Sequence, residues 1–263
     1  MDQRIFQGLS WIWISAVMLV SLPLKAAELP DLLDTIRPGI VAIGTVRPVK
    51  RTGAQNLPVV FRGTGFVVRD GGIVVTNLHV LPDKLDKASD EALAVFIGRG
   101  QQVKAHTAVV VGRDAEHDLA VLKLETPAQI TPLKLASDTM VREGEAIFFT
   151  GFPLGMVLGL FPVTNQSIIS AVTPFVIPAT SSGALNAAQI KALRHPFEVY
   201  QLDAIAYPGN SGSPVMELAS GRVVGVVNSV FVKDTKENVL KTPSGITYAI
   251  PVRYVNQLLR QVP

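Results

Sequence analysis

The chain has 263 residues, of which 48% are hydrophobic and 17% are charged, and its formal net charge is +3. This length suits one large domain or two small lobes around a well-buried core, and the apolar content excludes a mainly disordered chain. The absence of cysteine excludes disulfides, thiol catalysis and cysteine-based zinc sites, and no dense basic patch with interleaved aromatic residues indicates nucleic-acid binding.

The first predicted element is an uncharged stretch, residues 5–24, which lies between Arg4 and Lys25. A basic residue, an apolar run and then two alanines are typical of a secretory signal, and the run is also long enough to cross a bilayer uncleaved. We therefore predict that residues 1–27 form a signal peptide or a membrane anchor. In either case residues 28–263 are exported, to the periplasm or the extracellular side.

The next segments read as a short helix or turn followed by β-strands. Apolar, β-branched runs are separated by turn residues at short intervals, which is typical of strands. The helix or turn is expected at 30–37, and the strands at 40–46, 64–69, 73–76, 94–97, 105–111 and 119–124.

A connector at 127–138 precedes a second series of short strands. They are expected at 146–150, 166–172, 199–202, 215–218, 223–230 and 247–250. Residues 174–196 read as an irregular insertion, and the helical spacing of apolar residues after Pro251 predicts a short amphipathic helix. Many short strands with few helical patterns predict an all-β barrel or sandwich.

A serine lies on a predicted tight turn in the run from Tyr207 to Pro214. Gly209 and Gly212 flank Asn210 and Ser211, and glycine lets backbone N–H groups approach the point where a substrate oxyanion would develop. Gly, Asn, Ser and Pro also make ordinary turns, so this run alone does not indicate catalysis.

A serine nucleophile needs a base, and the base needs an acid that orients it. His79 ends a strand after a hairpin, and Asp118 opens an apolar run in which its carboxylate is partly desolvated. Asp114 lies in a polar turn and is expected to be the more solvated carboxylate. The remaining histidines stand in a strand, beside Asp118 and in the insertion: His106, His117 and His195.

Four motifs then occur in a meaningful order, at residues 63–68, 75–80, 118–123 and 209–214: GTGFVV, VTNLHV, DLAVLK and GNSGSP. Together they resemble the trypsin-like serine peptidases, most closely the bacterial HtrA/Deg-type protease domain, over roughly residues 40–250. The resemblance implies an all-β fold of two six-stranded antiparallel β-barrels, at about 38–130 and 140–251. A C-terminal helix is expected at 252–261.

The resemblance also implies roles. Ser211 would attack the scissile carbonyl, His79 would carry its proton, and Asp118 would orient the imidazole. Backbone N–H groups of Gly209 and Ser211, with Asn210, would form the oxyanion hole. The expected activity is hydrolysis of peptide bonds in exported proteins, with protein or peptide substrates and with no cofactor or metal ion. The oligomeric state stays open.

The same resemblance places Ile205 at the base of the substrate pocket, six residues before the nucleophile. It places Asn228, Ser229 and Val230 on the segment that pairs with the substrate backbone. An apolar Ile205 offers no counter-charge to Lys or Arg, so cleavage after small or medium aliphatic residues is expected.

Departures from the family pattern leave a second function open. Asn210 stands where zymogen-type relatives carry Asp, so activation by a new amino terminus is not expected. No PDZ domain is expected, because the sequence ends shortly after Ile250. The alternative is a catalytically silent chaperone or binding module on the same fold. An α/β-hydrolase is rejected, because Ser213 replaces the second glycine of its motif and the order of the site residues differs.

Overall fold

The computed structural model of the protein describes residues 29–47, 59–153, 159–175, 196–228 and 246–262. The expected signal or anchor at 1–27 and most of the insertion at 174–196 lie outside the described residues. Across the described ranges, no helix combines the length and the apolar character that crossing a membrane requires.

The described chain contains two α-helices, short 3₁₀ turns and short strands. The helices are α1, Leu29–Ile36, and α2, Val252–Arg260. The first series of strands is β1, Ile40–Val46; β2, Val59–Arg69; β3, Ile73–Asn77; β4, Ala92–Ile97; β5, Lys104–Asp114; and β6, Leu119–Leu124. The second series is β7, Ala146–Gly151; β8, Val163–Pro174; β9, Glu198–Asp203; β10, Pro214–Glu217; β11, Val223–Asn228; and β12, Ile246–Pro251.

The strands close into two antiparallel barrels, in the orders β1-β2-β3-β6-β5-β4 and β10-β11-β12-β9-β8-β7. The prediction of two six-stranded antiparallel barrels with a short C-terminal helix is therefore confirmed. Strand β2 begins before the predicted start at residue 64, because Val59 pairs with Val46 at the far end of β1. The register of this pairing shifts by one residue between Ile43 and Gly44, as at a β-bulge.

Alternate residues of each strand fill the barrel interiors. Val41, Val74 and Leu122 are fully buried within the first barrel, and Phe149 and Leu202 within the second. Burial of each such side chain stabilises the fold by roughly 1.5–3 kcal/mol. The two interiors hold the strand ends in place, and those ends carry the predicted site.

A third apolar cluster joins the two barrels and the helices. It includes Phe66 of β2, Phe148 of β7 and Val226 of β11, together with Val255 and Leu258 of α2. The spacing of the buried residues along α2 is that of one helix face, as its sequence pattern predicts. The cluster fixes one barrel against the other, so side chains at the seam keep a defined geometry.

Candidate active site

His79 and Asp118 are brought together where two strands of the first barrel begin and end. His79 lies in the 3₁₀ turn Leu78–Val80 directly after β3, and Asp118 directly precedes β6. The Asp118 carbonyl accepts hydrogen bonds from Leu78 N at 3.0 Å and from Asn77 Nδ2 at 3.1 Å. These two bonds fix the backbone of Asp118 against the turn that carries the imidazole.

Asp118 adopts a left-handed backbone conformation, with φ of 52°. Such a conformation is uncommon for a residue other than glycine, although Asp and Asn adopt it more readily than most. It persists because surrounding bonds over-determine it. The conformation turns the carboxylate toward His79 just before the chain enters the buried strand β6.

Both carboxylate oxygens of Asp118 contact His79. Oδ1 accepts the backbone N–H of His79 at 2.9 Å, and Oδ2 lies 2.5 Å from His79 Nδ1. Because an ionised carboxylate can only accept, this contact places a proton on Nδ1 and leaves Nε2 to act as an acceptor. The pair therefore presents an imidazole in the tautomer that a general base requires.

Asn228 provides a third donor to the same carboxylate. Its Nδ2 lies 2.7 Å from Asp118 Oδ2, and the residue, the last of β11, is only 1% exposed. The sequence had suggested a place for Asn228 on the segment that pairs with substrate. The bond to Asp118 could not have been predicted from a local sequence pattern, because the two residues are 110 positions apart.

Ser211 follows a tight turn from Tyr207 to Asn210. Asn210 N donates to Tyr207 O at 2.9 Å, and Gly209 has φ of 100°. Proline at the second position and a positive φ at the third define a type II turn, and the third position of that turn requires glycine. Ser211 itself is largely buried, with 6% of its surface exposed.

Gly212 allows this turn to dock against the first barrel. A Cβ at Gly212 would lie 2.0 Å from Thr64 O and 2.6 Å from Thr76 Oγ1, so a larger residue would force the turn away. Gly212 N also donates to Val227 O at 2.9 Å. Val227 is the neighbour of Asn228, and β11 thus links the serine turn to Asp118.

The N–H groups of the turn have different environments. The Asn210 N–H is committed to Tyr207 O, and its fully buried side chain is held inside the protein. This geometry does not support the expected contribution of Asn210 to the oxyanion hole. Gly209 N–H donates to no group among the residues that the structure describes.

The expected substrate pocket is described only in part. Ile205 is 37% exposed, in the irregular segment between β9 and β10. Thr247 Oγ1 donates to the carbonyl of the preceding Ala204 at 2.6 Å and ties this segment to β12. Ser229 and Val230 lie outside the described residues.

A second His–Asp pair lies close by in the sequence. His117 Nδ1 is 2.7 Å from Asp114 Oδ2, and Asp114 Oδ1 accepts the His117 N–H at 3.1 Å. The expectation that Asp114 is the more solvated carboxylate is wrong. Its side chain is 21% exposed, against 23% for Asp118. Asp114 is shielded because it pairs with the histidine of its own turn.

No group of three or more His, Asp or Glu side chains within the described ranges is arranged to hold a metal ion. The seam brings together an oriented imidazole, a hydroxyl on a tight turn and backbone N–H donors.

Comparison with known proteins agrees with this geometry. The family model of the trypsin-like peptidase domain matches residues 63–226, which include His79, Asp118 and Ser211. Zebrafish serine protease HTRA1A is 28% identical over 241 residues, covering 92% of this chain and 42% of the relative. A probable periplasmic serine endoprotease, DegP-like, from Hahella chejuensis is 28% identical over 281 residues, covering 95% of this chain and 52% of the relative.

A DegP-like protein of Brucella suis biovar 1 is 30% identical over 236 residues, covering 85% of this chain and 38% of the relative. The chain thus spans about half the length, or less, of these curated relatives. The resemblance to HtrA and DegP-like serine proteases nevertheless extends over most of the chain. With the family model matched over more than half of its residues, the chain belongs to the trypsin-like peptidase domain family.

Proposed function

We propose that the protein is an exported serine endopeptidase in which Ser211 is the nucleophile, His79 the general base and Asp118 the residue that orients it. The observation that carries this proposal is the 2.5 Å contact between His79 Nδ1 and Asp118 Oδ2 together with its place beside the serine turn, to which β11 links Asp118. That contact lies at the seam against which the Ser211 turn is docked through Gly212.

The reaction follows from these positions. Ser211 Oγ attacks the carbonyl carbon of the scissile peptide while His79 Nε2 takes its proton, and a tetrahedral intermediate forms. His79 then gives the proton to the leaving amine, and an acyl-enzyme ester remains on Ser211. Water, deprotonated by His79, hydrolyses the ester and frees the serine. Asp118 stays ionised throughout and stabilises the imidazolium.

Backbone N–H groups of Gly209 and Ser211 stabilise the oxyanion of each tetrahedral intermediate. The type II turn and a Gly209 N–H without an acceptor among the described residues support this assignment. Loss of one such donor raises the barrier by about 3 kcal/mol. Asn210 is left out of the oxyanion hole, because its N–H is bound to Tyr207 O.

The properties of Asn210 support an active site that forms without proteolytic activation of the chain. Its neutral side chain is fully buried, and its amide atoms have no hydrogen-bond partner among the described residues. A neutral amide forms no ion pair with a newly cut amino terminus. We therefore expect the purified chain to be active without prior cleavage.

The proposed substrates are exported proteins or peptides with small or medium aliphatic residues at the cleaved position. Ile205 at the base of the pocket carries no charge to attract Lys or Arg, and Asn228, Ser229 and Val230 pair with the substrate backbone. Digestion of a peptide library tests this assignment, and efficient cleavage after Lys or Arg would rule it out.

The proposed location is the periplasm or the extracellular side, with residues 1–27 as signal or anchor through residues 5–24. Support comes from the sequence pattern and from relatives named as periplasmic endoproteases. Fractionation of cells that express the tagged full-length chain tests it, because an internal location would contradict export.

A fluorophosphonate probe tests the proposed activity directly, because it reacts with activated serines. The wild-type chain should be labelled at pH values between about 6 and 9, and Ser211→Ala should abolish labelling. An unlabelled wild-type chain would favour the catalytically silent chaperone or binding module instead.

A further inference from the structure

One residue of the first barrel holds two carbonyls of the Ser211 turn. Thr64, in β2, is fully buried. Its backbone N–H donates to Ser211 O at 2.9 Å, and its hydroxyl Oγ1 donates to Gly209 O at 2.7 Å. These two partners are the residues whose own N–H groups are the proposed oxyanion donors.

The direction of the Thr64 hydroxyl is determined by its neighbours. Phe152 N donates to Thr64 Oγ1 at 3.0 Å, so this oxygen serves as an acceptor for the segment that follows β7. A hydroxyl has one proton, and here it is given to Gly209 O. A single oxygen atom therefore joins β2, the end of β7 and the serine turn.

Thr64 is itself held in place. Thr76 Oγ1 donates to the Thr64 carbonyl at 2.7 Å, and the oxygen of that carbonyl lies 2.0 Å from the position that a Cβ of Gly212 would take. Among the described residues, no group other than Thr64 donates to Gly209 O. The position of the Gly209 carbonyl therefore depends on one hydroxyl that cannot move freely.

Gly209 is the residue of the turn whose backbone conformation most needs to be held by its neighbours. Glycine occupies positive and negative φ almost equally well, so the sequence alone does not fix its peptide orientation. A type II turn and a type I turn differ mainly by a rotation of roughly half a turn of the peptide between their second and third positions. That peptide carries the Gly209 N–H, and the rotation would direct it away from the substrate. The Gly209 carbonyl belongs to the next peptide, so a bond to it acts on the N–H only by holding Gly209 and the rest of the turn in place against the first barrel.

We propose that Thr64 is a positioning residue for the oxyanion hole: its hydroxyl holds the Gly209 carbonyl, its N–H holds the Ser211 carbonyl, and together these bonds keep the turn that carries both proposed oxyanion donors docked against the first barrel. This inference rests on the proposed function, since it requires Ser211 to be the nucleophile. It adds to that function a role for the first barrel, which holds the serine turn in its active conformation.

The decisive variant is Thr64→Val, which replaces the hydroxyl by a methyl group of similar size. We expect kcat for a peptide substrate to fall about 10- to 100-fold, with KM changed by less than about threefold, because the lost geometry matters in the transition state. The rate of fluorophosphonate labelling at Ser211 should fall in parallel. Thr64→Ser retains the hydroxyl and should restore both rates to within about threefold of wild type.

Thr45→Val is the matched control. Thr45 is a buried threonine of β1, 1% exposed, whose hydroxyl donates to Glu91 Oε1 at 2.7 Å away from the serine turn. It should lose stability, as Thr64→Val does, and keep the labelling rate of wild type. All rates are expressed per folded molecule, measured from the fraction that resists thermolysin.

The outcomes separate the two proposals. If wild type and Ser211→Ala are equally unlabelled, the proposed function fails. If Ser211 is labelled in wild type and Thr64→Val reacts at the rate of Thr45→Val, the inference about Thr64 alone is overturned. Thr64→Ala is the second hydroxyl-free variant. Failure of both hydroxyl-free variants to fold would also overturn it, because the hydroxyl would then be a requirement of the whole fold.

Discussion

The two His–Asp pairs of this protein have nearly the same geometry and different surroundings. His79 and Asp118 are 39 positions apart, with Nδ1 2.5 Å from a carboxylate oxygen. His117 and Asp114 are 3 positions apart, with the corresponding atoms at 2.7 Å. The first pair is assembled by the barrel, whereas the second forms within a single turn.

The faces of the two rings distinguish the pairs. The His117 ring stacks on Tyr254 of α2, with centroids 3.9 Å apart and planes inclined by 18°. Phe197 meets the His117 ring edge-on, with centroids 4.8 Å apart. His117 is therefore part of a packed joint between the first barrel and the C-terminal helix, and its side chain is 13% exposed against 27% for His79.

A His–Asp contact by itself therefore does not identify a catalytic site. A short polar turn can make one from neighbouring residues. The His79 pair differs because another part of the chain supplies a serine turn and a Gly209 N–H without an acceptor among the described residues. The comparison predicts opposite effects of equivalent substitutions on activity and on stability.

The largest expected effect is the loss of activity in His79→Ala. Removal of the general base should lower kcat by about 10⁴- to 10⁶-fold, as in other enzymes with a serine nucleophile. His117→Ala, its matched control, should stay within about tenfold of wild type, because its ring is used for packing. Initial rates on a peptide substrate measure kcat for both variants. Equal losses of kcat in the two variants would contradict the distinction between the pairs.

Asp118→Asn should lower kcat by about 10⁴-fold, because an amide favours the wrong imidazole tautomer. Asparagine tolerates the left-handed backbone at this position, so the fold should survive. Asp114→Asn makes the same chemical change in the second pair and should lower kcat by less than about tenfold. Circular dichroism checks that both variants are folded, and a catalytic defect in Asp114→Asn equal to that in Asp118→Asn would contradict the assignment.

Stability should show the reverse order. His117→Ala removes an aromatic contact and a hydrogen bond to a carboxylate, and should lower the free energy of unfolding by about 2 kcal/mol. His79→Ala removes a more exposed ring and should cost less than about 1 kcal/mol. Urea denaturation measures both values. A larger loss in His79→Ala would show that its pair also supports the fold.

The smallest expected effect tests the third donor to Asp118. Asn228→Ala removes the bond to Oδ2 and should lower kcat about 10-fold by loosening the carboxylate, with little change in KM. Asn256→Ala is the control, because Asn256 Nδ2 makes a similar bond of 2.8 Å to Asp138 Oδ1, outside the site. Steady-state kinetics compare the two, and an equal effect on kcat would remove any special role of Asn228.

The strands could be predicted because their pattern is local, whereas the two barrels were expected only from the family resemblance. Alternating β-branched residues mark strands one by one, and the order of the four motifs indicated the family. Strand β2 was predicted too short, since its first residues become a strand only by pairing with β1. Local propensity does not contain that information.

The sequence allowed the residues of the site to be predicted, but not the hydrogen bonds between them. The motifs pointed to His79, Asp118 and Ser211. They also suggested a part in the oxyanion hole for Asn210, which its bond to Tyr207 O does not support. The sequence also indicated a solvated Asp114, although Asp114 pairs with His117. Both differences come from hydrogen bonds whose partners depend on the exact path of a turn.

What the sequence determined by itself is the set of groups that can do chemistry and the strands that carry them. Glycines at 209 and 212 permit the serine turn, and β-branched runs predict the strands. Only the tertiary structure decided which groups meet. Asn228 reaches Asp118 across 110 positions, and Thr64 reaches Gly209 across 145. Such bonds form only after two barrels have closed and packed, because chain entropy opposes contacts between distant residues until the core compensates for it.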